Sequence, residues 1–143
     1  NNGAVIKDFF SIVHDYINNL SDNKELKEII KKFKKSFDEL IIIVDYLSSI
    51  EKNKVNDING PAVEFLHLFS YVSIGFMWLK LIVIAHEENI SSPNNFLESK
   101  IATGEYYFNK ILPKTTFLKE HILGGASNYN DYKDEYFDLG FKL

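Results

Sequence analysis

Glu64 and His67 stand three residues apart, as Glu-Phe-Leu-His, at the start of a long apolar run. On a helix this spacing turns a carboxylate and an imidazole to the same side, which is the unit from which four-helix di-iron carboxylate centres are built. Such a centre needs a second Glu-x-x-His and two more inward carboxylates, and the second pair is missing. An ordinary polar pair at a helix surface or end is the favoured reading. The other histidines, His14, His86 and His121, fall on three separate predicted helices without ligand spacing. Lys27, Lys31, Lys32, Lys34 and Lys35 crowd one stretch and could meet a phosphate-bearing ligand, but Glu25, Glu28 and Asp38 interleave with them, which favours a solvated helix face. Nucleophile elbow, phosphate-cradling loop and dinucleotide glycine fingerprint are all absent. No residue is therefore assigned a catalytic, cofactor-binding or metal-binding role, and independent enzymatic activity on this chain is not expected.

Composition narrows the classes further. The chain has 143 residues, 45% of them hydrophobic and 25% charged, ordinary values for a globular domain with a real core. All 16 basic residues are lysine and the formal charge is −4. Nucleic-acid affinity rests on cationic neutralisation of phosphates, with arginine forks reading guanine, so a nucleic-acid partner is not expected. Without cysteine there can be no disulfide framework, thiolate nucleophile or cysteine-ligated zinc. The first residue is Asn and the opening NNGAVIKDFF has no secretory layout. An excised piece of a longer, cytoplasmic protein is expected.

Four helices are predicted to position these residues. Ile6, Phe10, Val13, Ile17 and Leu20 set the period of the first, about 4 to 20. Asp22 with Glu25 reads as a relative of the capping box, opening a second helix from about 23 to 52. That helix repeats Leu26, Ile30, Phe33, Phe37, Leu40, Val44 and Leu47 as a bundle seam. Pro61 suits the first position of a third helix, about 60 to 89. Its stripe Phe65, Leu68, Val72, Gly75, Leu79, Ile82 is joined by a second, Leu66, Phe69, Phe76, Val83, so coverage on more than one side is expected. The length also admits a membrane span, against which stand His67, Ser70, Tyr71, Ser73, Gly75 and Lys80. A fourth helix follows the 91–95 loop, kinks at Pro113 and ends at Gly124 and Gly125. Close packing of the third and fourth helices is expected around Gly75 and Gly104. The Tyr-rich tail reads as a short helix near 129–138 or a strap. The fold class is thus all-α, an up-and-down four-helix bundle over 1–143 with a kinked fourth helix.

Phe65, Leu66, Leu68, Phe69, Gly75 and Trp78, followed by Lys100, Ala102, Thr103, Tyr107, Phe108, Leu112, Pro113 and Thr115, form a pattern that resembles the C-terminal helical domain of one branch of the acyl-CoA dehydrogenases. That branch includes enzymes similar to 3-methylmercaptopropionyl-CoA dehydrogenase. Gly104 and Ser70 depart from it as small-for-small changes, where Ala and Gly are usual. The resemblance implies a parent enzyme that binds FAD and an acyl-CoA, abstracts the α-proton with a carboxylate and passes the β-hydride to flavin N5. It places the flavin core and the catalytic carboxylate upstream of Asn1, and no catalytic position is carried over. Lys100 is expected to pair with a carboxylate or carbonyl at the bundle end. The implied partners are the rest of the dehydrogenase chain and further copies in a homo-oligomer, with packing or access to substrate as the domain's part. A free-standing helical interaction module, using the third helix and the tail, is the alternative.

Overall fold

Apolar seams of seven-residue period bring four helices together, and every described element is helical. The computed structural model describes residues 4–20, 23–51, 54, 58–125 and 133–137. Helix α1 is Ala4–Asn19 and α2 is Lys27–Ser49. The start of α2 lies later than predicted, because Asn23 folds back in a turn in which its Oδ1 accepts from the Leu26 N–H at 3.0 Å. Asp22 lies outside the described residues. Helix α3 is Ala62–Ser91. The fourth helix has two arms, α4 (Asn95–Tyr106) and α5 (Lys114–Leu123), joined by a π turn, Tyr107–Ile111, and it is bent by 30°. The Asn94 side chain caps α4 by accepting from Leu97 N–H at 3.1 Å. Gly125, with φ +70°, ends α5 in the left-handed conformation that glycine tolerates. Of the tail, Asp134–Phe137 forms one 3₁₀ turn; the rest of the expected short helix falls outside the described residues.

The π turn follows from Pro113. Proline has no N–H to donate and its ring collides with the carbonyl four residues back. Inserting one residue into the turn relieves both problems, and the Leu112 N–H donates to the Tyr107 carbonyl five residues back at 2.9 Å. The phase of the apolar stripe survives the kink. Phe108 and Leu112 on one side of it, and Leu118 and Ile122 on the other, are all buried.

The core is aromatic at its centre. Phe33 of α2 stacks on Phe37 and Phe76 at 6.2 and 6.0 Å and meets Phe108 edge-on at 6.5 Å, separations at which ring quadrupoles favour offset and edge geometries. Helix α1 joins largely through rings: Phe9 on Phe69 and Phe76, Phe10 on Phe37, Tyr16 on Phe76. Lys80 sits over Phe76 and Tyr16 at 4.6 and 5.5 Å, a cation–π contact that closes the α1–α3 seam.

Helix α3 packs on α2, α4 and α5. Its predicted first stripe is buried at Leu68, Val72, Gly75, Leu79 and Ile82. The second is buried only at Phe76 and Val83, since Phe69 is half-buried and Leu66 exposed. A third face, with Ile74, Met77, Leu81 and Ile84, is exposed and apolar.

Gly75 and Gly104 both mark close approaches, but not to each other. A methyl on Gly75 would meet Phe33 and Leu112, whereas one on Gly104 would overlap Ile82 at Cδ1 and Cγ1. Ile82 thus occupies the space that an alanine methyl would take. Gly104→Ala is expected to cost about 1–3 kcal/mol by overpacking. With Ile82→Ala in the same chain the two costs should be less than additive, as urea unfolding of the four-member cycle would show. Strict additivity would mean that the two side chains do not share this space.

Candidate functional site

The kink delivers two hydroxyls to a buried carboxylate. Thr115 and Thr116 open α5, and their rotation past the π turn faces them toward α2. Glu39 there is only 4% exposed. The Thr115 hydroxyl donates to Glu39 Oε2 at 2.8 Å and lies 2.9 Å from both the Ser36 hydroxyl and the Leu112 carbonyl oxygen. The Thr116 hydroxyl donates to Glu39 Oε1 at 2.8 Å. The ammonium groups of Lys119 and Lys35 stand 3.9 and 4.0 Å from Oε1. A buried carboxylate is tolerated when its lone pairs and charge are met in this way. With both oxygens committed, Glu39 is an anchor of the α2–α5 contact and not a free base.

Electrostatics around the kink reinforce this role. A hydrogen bond to Glu120 foremost, then the charges of Glu120 and Glu39, hold the Lys119 ammonium above its ordinary range against some opposing desolvation. Lys35 donates to the Thr116 hydroxyl, and Lys32 donates to the Asn109 side chain on the π turn. Between them runs a shallow groove of about 150 Å³ lined by Lys32, Lys35, Asn109, Pro113 and Thr116. Tyr107, first residue of the π turn, donates its hydroxyl to the Tyr71 carbonyl on α3 at 2.8 Å. Burial, and then the neighbouring Tyr71, push its phenol up to about 12.

Two other polar features lie away from the kink. Glu64 meets not His67 but His121 of α5, with Nδ1 3.4 Å from Oε1. This pair borders a recess of about 60 Å³ with Pro61 and Gly125, and Glu64 Oε2 is buried there without a partner among the described residues. The recess is water-sized. His67 is exposed one turn on. His86 pairs with Glu25 at 3.1 Å and ties the end of α3 to the approach to α2, while His14 sets its ring edge-on to Phe37.

An apolar cleft of about 280 Å³ opens between α3 and α4, lined by Trp78, Leu81, Ile84, Phe96, Leu97 and Lys100. Lys100 does not seek a carboxylate there; its ammonium lies over the Phe96 ring at 5.0 Å. Trp78 borders the cleft and stacks on Tyr107 behind it. Gly75 lies elsewhere, against Leu112 of the fourth helix and Phe33 of α2. The clustered lysines Lys27, Lys31, Lys32, Lys34 and Lys35 are all exposed, and of them Lys32 and Lys35 reach across to the fourth helix. Glu39, Ser36 and Thr116 form a site that spacing did not single out. The one signal was Thr115 in the Leu-Pro-x-Thr pattern, whose hydroxyl needs a partner once buried.

The chain matches the family described as Acetyl-CoA dehydrogenase C-terminal like over residues 6–132, which takes in all four helices. It belongs to that family, as an acyl-CoA dehydrogenase C-terminal-like domain. No curated protein and no solved structure matches it.

Thr115→Val keeps the side-chain shape and removes the donor to Glu39. It is expected to cost about 1–3 kcal/mol by thermal or urea unfolding, because a buried acceptor loses its partner. Unchanged stability would show that Glu39 is met from elsewhere.

Stability should also fall at high pH. A group whose folded pKa is raised contributes stability that is complete below its unfolded value and lost as pH rises through the folded one. For Tyr107 that window runs from 10.0 to about 12, and the raised Lys119 acts in the same direction. Tyr107→Phe should flatten the decline by on the order of 2 kcal/mol. An identical decline in wild type and variant would place the titrating group elsewhere.

Proposed function

We propose that this chain is the helical C-terminal domain of a flavin-dependent acyl-CoA dehydrogenase, with a packing and assembly role and no chemistry of its own. The observation that carries this reading is the family match over residues 6–132, set beside the committed state of the buried carboxylate. A base for α-proton abstraction must reach substrate, and Glu39 is locked by Thr115 and Thr116 inside the α2–α5 contact. The family implies FAD in the parent, but the residues described here do not fit it. The α3–α4 cleft, about 280 Å³ and apolar except for Lys100, has neither the volume nor the donors that a dinucleotide requires. FAD, acyl-CoA and the catalytic carboxylate are therefore assigned to the rest of the dehydrogenase chain, which is also the domain's first partner. Further copies in a homo-oligomer are the second. The pattern from Phe65 to Thr115 supports the branch that includes 3-methylmercaptopropionyl-CoA dehydrogenase-like enzymes. Nucleic acid and membrane have no part in this reading, and the cytoplasm is its compartment.

The 143-residue chain incubated with FAD should emerge from gel filtration colourless and strongly helical by circular dichroism. The natural polypeptide that carries it should co-purify with flavin and reduce an artificial electron acceptor on addition of acyl-CoA. Stoichiometric flavin on the chain alone would overturn the packing role, and a natural polypeptide without a flavin core would overturn the parentage.

A further inference from the structure

The outward face of α3 has an order that the fold does not use. Val63, His67, Ser70, Ile74, Met77, Leu81, Ile84 and Glu88 follow one another at alternating spacings of four and three. They form a strict heptad seam on the side opposite Leu68, Val72, Gly75, Leu79 and Ile82, which α3 buries in its own bundle. Seams of this period take knobs from a partner helix. Leu66, Ile74, Met77, Leu81 and Ile84, with Phe96 beside them on α4, are 46% to 66% exposed. Together they present on the order of 700 Å² of surface, more than a monomer usually leaves open and close to the ~800 Å² that each side of a stable interface contributes.

We propose that this face is a homodimer interface, in which α3 packs antiparallel on α3 of a second copy of the chain. The proposal rests on the packing role above only in supposing that the flavin core leaves this face open. The seam is its own complement. An antiparallel pair forms layers between the two kinds of heptad position, and here every layer joins residues whose numbers add to one value. Ile74 meets Met77 of the second copy, Ser70 meets Leu81, His67 meets Ile84, and Val63 meets Glu88. Each occurs twice about a two-fold axis, as an isologous interface requires. The apolar layers fall at the centre and the polar residues at the ends. Ser70 can face leucine because its hydroxyl already donates to the Leu66 carbonyl at 2.7 Å. Glu88 arrives at the positive N-terminal end of the other α3, where a carboxylate is favoured.

The absence of cysteine provides a clean background for cross-linking. Two variants, Ser70→Cys and Leu81→Cys, are made separately and oxidised alone and mixed. Positions 70 of the two copies would lie about 16 Å apart along the axis at 1.5 Å per residue, beyond disulfide reach, whereas 70 and 81 would be opposite. The expected result is a cross-link in the mixture only. Light scattering should give a dimer for wild type, weakened on the order of 100-fold or more by Met77→Glu, which buries an unpaired charge. Helicity should be unchanged, since Met77 is exposed in the single bundle, and the unfolding midpoint should fall only to that of wild type diluted to monomer.

Cross-linking of either variant with itself, or a wild-type monomer throughout, would overturn the proposal. A monomer that binds anionic lipid vesicles would overturn it in favour of a membrane surface, and a monomer that binds the isolated dehydrogenase core would do so in favour of the parent chain. The flavin content of the natural polypeptide stays a separate reading, so failure here and failure of the proposed parentage are distinguishable.

Discussion

Helix α3 imposes the constraint around which the rest is arranged. It carries apolar residues on every side and is long and apolar enough to cross a membrane, so a helix of 30 residues has to be given neighbours rather than one buried stripe. The bundle supplies α2, α4 and α5 on one flank and the rings of α1 on another. Close approach matters more than residue bulk in this arrangement. Gly75 lets Phe33 and Leu112 lie directly against the α3 backbone, and Gly104 lets Ile82 of α3 lie directly against the α4 backbone. The glycine that departs from the usual alanine is matched by the isoleucine that fills its place, so the two positions form a compensated pair.

The second constraint is Pro113, and its effects run in both directions along the fourth helix. Upstream, the added residue of the π turn rotates Tyr107 so that its hydroxyl reaches the Tyr71 carbonyl and its ring stacks on Trp78. Downstream, it turns Thr115 and Thr116 onto Glu39. A straight helix would deliver neither set while keeping Phe108 and Ile122 in one stripe. The proline is thus tolerated because the bend it forces satisfies one buried phenol and one buried carboxylate.

Much of this architecture is legible in the apolar period, and the reason is that burial follows it. The α2 seam from Leu26 to Leu47 and the inner α3 stripe from Leu68 to Ile82 are core residues wherever a helix faces a neighbour. The membership of the chain in its family was legible from the pattern Phe65 to Thr115. What periodicity does not carry is partner choice. Glu64 is three residues from His67 in sequence, yet its partner is His121, because the exit of α5 passes over the start of α3 while His67 points outward. Glu39 and Ser36 flank the α2 seam and read as surface polar residues until α5 is bent onto them. The α3 outer face was unreadable for a related cause: a helix apolar all round shows several stripes, and only the packed bundle reveals which of them remains uncovered.

The two faces of α3 share one property that bears on what the outer one is for. Leu68, Val72, Gly75, Leu79, Ile82 and His86 repeat at four and three, and so do His67, Ser70, Ile74, Met77, Leu81 and Ile84 on the far side. A single left-handed supercoil would keep both seams aligned with packed neighbours, because each departs from the free helical period by the same small angle per heptad. Lipid exerts no such demand. Tails contact any apolar side chain equally, and a surface selected for them has no reason to keep a seven-residue register or to admit His67, Ser70 and Glu88 within it. A composition that would pass for a membrane span is in this chain divided between an inner seam already filled by the bundle and an outer one of matching period. That division is what a helix shared between two packed layers requires.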